Sequence, residues 1–570
     1  MNGMSAIYVP LPELGSPIAV GVGFVLAICV AQLLYRFFMV RTEFRRLKAQ
    51  GVPIMSHSFL LGHLPIVAQM MKSKPRDLHW GYIPQMIVDD WKAFFPDCTA
   101  CPAIIYLDVW PVGPPTVYTI DPAMSTQSIQ TNHQKLQKVE NMLRILHPLG
   151  QNLDILTTHG PQWRVWRSRF NPAFSSKSIT ALVPTILEEV VVFRDILRSK
   201  IGKDGNWGDV FTLEPLTTNL TFDVIGRAAL DVRLDEQNQG PGRLQKALVD
   251  QLAQGVFEAN IWTLPKRLSP IRWWKIARNN KTMRDVLLPS VYSRLESSMS
   301  TDPSKSKTIV DLAVQEFLQE DLTESSKVKV DDAFIDIVLA QLKTFIFAGH
   351  DTTSTSICWT IHCLAKFPSE AVKVRAEHDA VLGTNLEEAL SRIRTSPHVL
   401  NQLPYTLAFI KETLRLFPGV GPVRGGVSDF SFEVPGAVPH PTKGFMILDA
   451  VRATSHAEHI WPRANEFLPQ RFLVGPNDPL HPPKNAWHPF GLGPRGCIGQ
   501  ELAMAEIKVV VALVARELEI DCAWKKWDTL KGTSKDVALK ETVEGHRCYQ
   551  SGPNTPHTKE NMPVHVRFRK

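Results

Sequence analysis

One short segment holds the residues best suited to chemistry, Phe490-Gly-Leu-Gly-Pro-Arg-Gly-Cys-Ile-Gly499. Its cysteine, Cys497, stands directly before an apolar stretch that predicts a helix over Ile498–Ile520. The dipole and the free N–H groups of a helix N-terminus stabilise an anion, so this position favours a thiolate. A thiolate bound to haem iron donates electron density that favours O–O cleavage. The segment therefore predicts a stabilised thiolate, which is compatible with haem-thiolate chemistry.

The neighbours of the cysteine suit the same chemistry. Gly491, Gly493 and Gly499 allow the backbone to turn tightly and to approach the sulfur. Phe490 can shield the sulfur from water, and Arg495 can pair with a carboxylate such as a haem propionate. A lone cysteine in a turn is ordinary, but the complete pattern followed by a helix is not. We therefore predict that the cysteine is the axial ligand of the iron.

A second chemical signal interrupts an apolar helix predicted over Asp332–Phe367. Gly349 in the helix interior costs about 1 kcal/mol relative to alanine, and two polar residues, Asp351 and Thr352, follow it closely. Polar groups inside an apolar helix are costly unless they are paired, so two local rules are broken at one place. A hydroxyl beside a carboxylate can relay protons through water, which predicts general-acid work here. The alternative is that both side chains merely face another helix.

Together these segments resemble a known family. Phe490–Gly499 is similar to the haem-binding signature of the cytochrome P450 family, and further family landmarks follow in order along nearly the whole chain. The resemblance implies a mainly α fold with small β-sheets after an N-terminal transmembrane helix, and haem b as the cofactor. It also implies that Asp351 is the family's acid and Thr352 its alcohol. Ala348 and Gly349 correspond to the small residues where the helix opens over the iron.

A charged pair lies on the helix predicted over Pro404–Phe417. Glu412 and Arg415 are three residues apart, which places both side chains on one helical face. Their neighbours are apolar, so the pair is expected to be buried and to need a third partner. The family resemblance implies that this partner is Arg471, in a structural trio that holds the haem pocket together.

Three further residues are assigned by the resemblance alone. The family's W-x-x-x-R pattern corresponds to Trp163 and Arg167, which would face a haem propionate. Trp166 competes with Trp163 as a core residue. Arg424 is implied as a further propionate partner.

The N-terminus carries a targeting signal. Ile18–Tyr35 is an uncharged run of 18 residues, and at ~1.5 Å per residue it spans most of a ~30 Å hydrocarbon core. Basic residues follow it at once, so the positive-inside rule places residues 1–17 in the lumen. We predict a single-pass anchor in the endoplasmic reticulum membrane, a basic and proline linker over 36–53, and one cytosolic catalytic domain over 54–570.

The composition is that of a globular chain that buries a core, with 44% hydrophobic and 21% charged residues. The net charge of +7 is modest and does not by itself indicate nucleic-acid binding. Pro265–Lys281 interleaves basic and tryptophan side chains, which favours contact with membrane lipid. A solvated helix face or a site for single-stranded nucleic acid is the alternative reading of that segment.

Periodicity and turn residues predict the remaining elements. They are strands over Ile104–Val109 and Thr116–Ile120, helices over Ile179–Ile201 and Leu244–Phe257, a polar loop over Ser298–Thr308, and short strands and coil from 418 to 496.

The resemblance implies a membrane-bound monooxygenase that inserts one oxygen atom of O2 into a small apolar organic substrate. NADPH-cytochrome P450 reductase, with cytochrome b5 as a further partner, would deliver the electrons, because no flavin-binding segment is recognisable. The pattern is similar to fungal microsomal members that tailor secondary metabolites such as polyketides.

Two other functions remain open at this stage. One is a haem-thiolate isomerase or dehydratase on the same fold, against which Asp351 and Thr352 argue. The other is a non-catalytic membrane haem protein that binds a ligand or senses a gas.

Overall fold

The fold is known from a computed structural model, which describes residues 17–255, 264–297, 308–320 and 331–569. The described residues are mainly helical with small β-sheets, which confirms the predicted fold class. The helices up to residue 297 are α1 (Pro17–Ala49), α2 (Leu64–Met71), α3 (Tyr82–Asp89), α4 (Trp91–Phe94), α5 (Pro122–Ser125), α6 (Glu140–Gly150), α7 (Gly160–Phe170), α8 (Ser176–Ser199), α9 (Glu214–Leu230), α10 (Glu236–Gln239), α11 (Arg243–Ala253), α12 (Leu264–Leu268) and α13 (Pro270–Ser297). The later helices are α14 (Ile309–Glu320), α15 (Asp332–Lys366), α16 (Pro368–Leu382), α17 (Leu386–Thr395), α18 (Pro404–Leu416), α19 (Val451–His456), α20 (Gln500–Glu517), α21 (Trp524–Lys531) and α22 (Lys535–Lys540).

The strands are short and form four sheets within the described residues. They are β1 (Ile104–Leu107), β2 (Thr116–Thr119), β3 (Phe211–Thr212), β4 (Val423–Gly425), β5 (Ser431–Phe432), β6 (His440–Pro441), β7 (Met446–Asp449), β8 (Leu518–Cys522), β9 (Gln550–Ser551), β10 (His557–Thr558) and β11 (Pro563–Phe568). The sheet orders are β1-β2-β7-β4, β3-β11-β8, β5-β6 and β10-β9. Only β2 and β7 pair in parallel; the other described pairs are antiparallel.

Helix α15 runs through the centre of the helical layer. The Asp331 carboxylate accepts a hydrogen bond from the amide of Phe334 at 2.6 Å and so caps its N-terminus. Apolar residues lie on all sides of the helix, which is the pattern of a buried helix. Its packing partners include α9, α20 and α18. The helix is apolar and long enough to cross a membrane, but 61% of its most apolar 18-residue stretch is buried inside the protein. This burial is typical of a core helix.

The structure changes the end of one predicted helix. Helix α20 begins at Gln500 and ends at Glu517, whereas the sequence predicts a helix over Ile498–Ile520. The last residues of that prediction are wrong because Leu518–Cys522 forms β8 and pairs with β11, Ile520 lying opposite Val566. Tertiary pairing overrides the local helical pattern here.

Other predicted elements differ in smaller ways. Helix α19 forms within the stretch from 418 to 496 that is predicted as strands and coil. The predicted Leu244–Phe257 helix ends at Ala253, and its last two residues lie outside the described residues, as does the predicted polar loop apart from Thr308.

Helix α1 is longer than the predicted anchor. It continues through the basic residues to Ala49, a stretch that the sequence analysis assigns to a linker. Arg41, wholly buried, pairs with the buried Asp108 and donates to the carbonyl of Trp110 at 2.9 Å. In the most apolar 18-residue stretch of the helix, no residue is buried. The N-terminal half of α1 is therefore free, whereas its C-terminal half is docked on the globular domain.

Candidate active site

A cavity of about 1340 Å³ lies between α15 and the loop that precedes α20. Its walls include parts of α6, α7, α9 and α11, together with the segment around β10. Cys497, Ala348, Gly349, Asp351 and Thr352 all line it. The structure therefore brings the two chemical motifs of the sequence to one cavity.

The cysteine loop is held by its own backbone. The amide of Cys497 donates to the carbonyl of Phe490 at 2.8 Å, and the amide of Gly496 donates to that of Gly493 at 2.9 Å. Gly491 and Gly493 adopt φ values of 73° and 69°, which L side chains rarely reach. A Cβ at Gly493 would lie 2.9 Å from the Cα of Gln130. Glycine is thus required at this position for conformation and for space.

The environment of the Cys497 sulfur has opposing effects on its charge. Burial raises the pKa of the thiol, while the amides of Gly499 and Gln500 and the nearby Arg167 guanidinium lower it. The sulfur opens onto the cavity although it lies deep in the protein. A metal cation would add the positive charge that holds the thiolate deprotonated.

Helix α15 is continuous through its polar segment. The Thr352 hydroxyl donates to the carbonyl of Ala348 at 2.9 Å, and the helix stays α-helical across Gly349. This differs from the expected opening at Ala348 and Gly349, because the hydroxyl bonds to the turn without displacing its backbone bonds. A Cβ on Gly349 would lie 2.8 Å from the side chain of Ile225, so the glycine also serves the close packing of α15 on α9.

Asp351 contacts the C-terminal part of the chain. Its carboxylate accepts a hydrogen bond from the Thr555 hydroxyl and lies 3.7 Å from Nε2 of His557. These partners are more than 200 residues away in sequence and were not predicted. A histidine in a weakly patterned C-terminal stretch carries no local signal of such a role.

Three cations line one wall of the cavity: Lys138, Arg424 and Arg495. Arg424 donates to the carbonyl of Val423, and Arg495 donates twice to that of Thr158, while none of the three forms an ion pair within the described residues. Burial lowers the pKa of each arginine to about 10, and burial together with repulsion by both arginines lowers that of Lys138 well below its ordinary value. This uncompensated charge fits the two carboxylates of a haem.

Trp163 and Arg167 also line the cavity, but they contact different partners. The guanidinium of Arg495 stacks over the Trp163 ring, with its carbon 4.0 Å from the centroid. Arg167 donates to the carbonyl of Gly496 in the cysteine loop at 3.0 Å. Arg167 thus fixes the loop and Trp163 positions an arginine. The sequence analysis missed Lys138, which stands in no recognisable motif.

The trio of Glu412, Arg415 and Arg471 lies outside the cavity lining. Arg415 makes two bonds of 2.8 Å to Glu412, and Arg471 approaches the same carboxylate at 3.3 Å. All three side chains are 0% exposed, and the amide of Leu468 also donates to Glu412 at 2.8 Å. The trio joins α18 to the coil that leads into the cysteine loop.

Comparison with known proteins decides the family. The sequence matches the family model described as "Cytochrome P450" over residues 81–542. This chain is a cytochrome P450. Its monooxygenase relatives include polC of Polytolypa hystricis, at 34% identity over 97% of this chain and 96% of the relative. Another is acrF of Aspergillus aculeatus, at 30% identity over 81% of this P450 and 93% of the relative.

A solved structure agrees in fold. The crystal structure of the cytochrome P450 CYP102L1 superimposes with a TM-score of 0.61 at 19% identity, over 85% of this chain and 94% of that one. The family model and the monooxygenase relatives show that this P450 is a haem-thiolate monooxygenase with haem b as its cofactor.

Proposed function

We propose that this P450 inserts one oxygen atom of O2 into a small apolar fungal secondary metabolite as a tailoring oxidation. Each turnover takes two electrons and two protons, and the second oxygen atom leaves as water. The electrons come from NADPH through a separate membrane-bound reductase, with cytochrome b5 as a further donor. The observation that carries the proposal is that the Cys497 sulfur and the Asp351–Thr352 pair line one cavity.

The residues of the chain divide the work around the cofactor. Haem, when bound, supplies the iron at which dioxygen is activated. Cys497 provides the thiolate, held by the amides of Gly499 and Gln500. Lys138, Arg424 and Arg495 would hold the two propionates.

The acid and the alcohol handle protons. Thr352 stands on the cavity side of α15, next in sequence to Asp351, so the pair can pass protons inward through water. Apolar residues of α6, among them Met142, Ile145 and Leu149, form part of the remaining wall and exclude bulk water from the substrate.

We also place the protein in the endoplasmic reticulum membrane, as a single-pass protein with a lumenal N-terminus. The free half of α1 supports membrane insertion, since its apolar side chains include Phe24, 68% exposed. Trp273 and Trp274 at the start of α13 are also exposed and stand among basic residues. They support contact of the catalytic domain with the membrane surface.

The first experiment tests the iron ligand. The purified full chain is reduced and treated with carbon monoxide, and its absorption spectrum is recorded. A red-shifted Soret band is expected, and Cys497→Ser is expected to lose it, because a hydroxyl does not replace the anionic sulfur. A wild-type protein that purifies without haem, or that lacks the shift, contradicts the proposal.

The second experiment tests the proton pair. Thr352→Ala is expected to lower product formed per NADPH consumed by about 10-fold or more, with the lost electrons appearing as hydrogen peroxide. Thr360→Ala is the matched control, because Thr360 lies on the same helix, makes the same kind of bond to the carbonyl four residues back, and does not line the cavity. Product formation that needs no NADPH would instead indicate an isomerase or dehydratase.

A further inference from the structure

His557 lies between two carboxylates at the edge of the cavity. Its Nδ1 donates to Glu214 at the start of α9, and its Nε2 lies 3.7 Å from Asp351 on α15. Glu214 is nearly buried and is held further by the amide of Thr558 at 2.9 Å and by the Thr558 hydroxyl. Three distant segments therefore converge on one imidazole.

We propose that His557 is a positioning residue for proton delivery: it holds a proton beside Asp351 and supplies it as the reaction consumes protons. This inference rests on the proposed monooxygenase function. Asp351 touches the Thr555 hydroxyl and His557 and is adjacent to Thr352, whereas His557 acts only through Asp351.

The charges around the imidazole favour its protonated form. The carboxylates of Glu214 and Asp351 raise the pKa of His557 to about 8 in spite of the opposing effect of burial. The other titratable groups that interact with it are His350 on α15 and His79 near the N-terminal side of α3. Burial lowers the pKa of both histidines and the positive charge of His557 lowers each further, which disfavours a second positive charge beside the imidazolium.

The geometry defines the path of the proton. The Nδ1 proton is committed to Glu214, so the Nε2 proton is the one free to move. The distance of 3.7 Å from Nε2 to the Asp351 carboxylate is slightly longer than a hydrogen bond, so a small movement of either side chain brings the two atoms within reach for direct transfer. The side chain of His557 is 40% exposed and lines the cavity, so Nε2 can take a new proton from water at the cavity edge. Glu214 keeps the ring oriented throughout.

Two variants separate proton supply from simple structure. His557→Gln removes the titrating group, and His557→Lys keeps a positive charge whose pKa lies near ~10.4. In the wild type, product per NADPH should fall as pH rises through about 8. In His557→Gln, product per NADPH should be about 10-fold lower and should not change with pH in this range. The loss is smaller than the ~100-fold expected when a direct general acid is removed, because His557 acts through Asp351. In His557→Lys the fall should move to higher pH.

A matched control and a second readout accompany these assays. His398→Gln replaces an exposed histidine outside the cavity and should leave coupling and its pH profile unchanged. Denaturant unfolding of the detergent-solubilised full chain needs no turnover. Because the folded pKa of His557 is raised, its contribution to stability is complete below pH ~6.5 and is lost as pH rises through about 8. The difference in unfolding midpoint between wild type and His557→Gln should shrink over that window.

The outcomes are distinct for the two proposals. Wild-type pH dependence retained in His557→Gln, or an unfolding difference that does not change between pH 6 and 9, overturns the role of His557. If the wild type shows no NADPH-dependent product, the monooxygenase proposal fails on its own. Unfolding still reports in that case whether the imidazole holds its proton between the two carboxylates.

Discussion

Lys138 is the most unusual charged residue of the cavity wall. Burial, together with repulsion by the guanidinium groups of Arg424 and Arg495, lowers the pKa of Lys138 well below its ordinary value. Such a group is costly unless an anion compensates it. In a haem protein the propionates are the anions that compensate these charges. The repulsion among the three side chains is then relieved on haem binding, which strengthens the affinity for the cofactor.

Lys138→Met is therefore expected to weaken haem retention. Loss of one charge-assisted bond is worth about 1.5–3 kcal/mol, so haem should leave at least about 10-fold faster. Transfer of haem to an excess of apomyoglobin measures this rate. Lys135→Met is the control, because Lys135 is half-exposed and pairs with the exposed Asp429 at 3.7 Å. Equal release rates for the two variants would show that Lys138 does not contact the cofactor.

At the scale of elements, α18 is fixed by charge as well as by apolar packing. Arg415 bonds to Glu412 on its own helix and to the carbonyl of Glu466, and Arg471 bonds to the carbonyl of Arg463. These bonds tie a helix to coil that has little regular structure of its own. The cysteine loop follows that coil, so its position depends on the trio.

Glu412→Ala is expected to destabilise the protein by about 3–5 kcal/mol, because two buried guanidinium groups lose their shared carboxylate. Denaturant unfolding followed by tryptophan fluorescence measures the change. Glu466→Ala is the matched control: it breaks a pair with Arg463 that has the same three-residue spacing but is more than half exposed on both sides. Comparable losses in the two variants would contradict the idea that burial makes the trio important.

At the scale of the whole molecule, α1 serves two environments. Its first half is free and apolar, whereas Arg41, Phe44 and Leu47 are buried in the globular domain. Since the helix is continuous from Pro17 to Ala49, the anchor and the catalytic domain meet through a docked helix end.

The two halves should respond differently to truncation. A chain beginning at Phe37 keeps only the surface contact of the catalytic domain, so high salt is expected to release it from the membrane fraction while it keeps its haem spectrum, because Arg41 and its partners remain. A chain beginning at Gly51 leaves Asp108 buried without its arginine and should unfold about 3–5 kcal/mol more easily. Membrane fractionation and denaturant unfolding measure the two effects. Equal stability of the two chains would show that the docked half of α1 does not support the domain.

The sequence by itself determined the chemistry of the site and most of its supporting helices. The Cys497 loop and the polar segment of α15 are each contained in about ten residues, and their glycines, caps and periodicity are local properties. Helices such as α8, α15 and α18 follow from the same periodicity, and the structure places them within a few residues of the predicted ends.

Tertiary structure decided what the local pattern could not. Glu214 and His557 are 343 positions apart, and only the docking of β10 against α9 makes them neighbours. Leu518–Cys522 became a strand because β11 offered it backbone partners. Lys138 joined the cavity wall through the fold alone, since a single lysine carries no spacing that indicates a ligand. A motif can be recognised because its residues are adjacent in sequence. Contacts between charges and hydrogen-bonding groups that are distant in sequence depend on the fold, so the sequence pattern does not predict them.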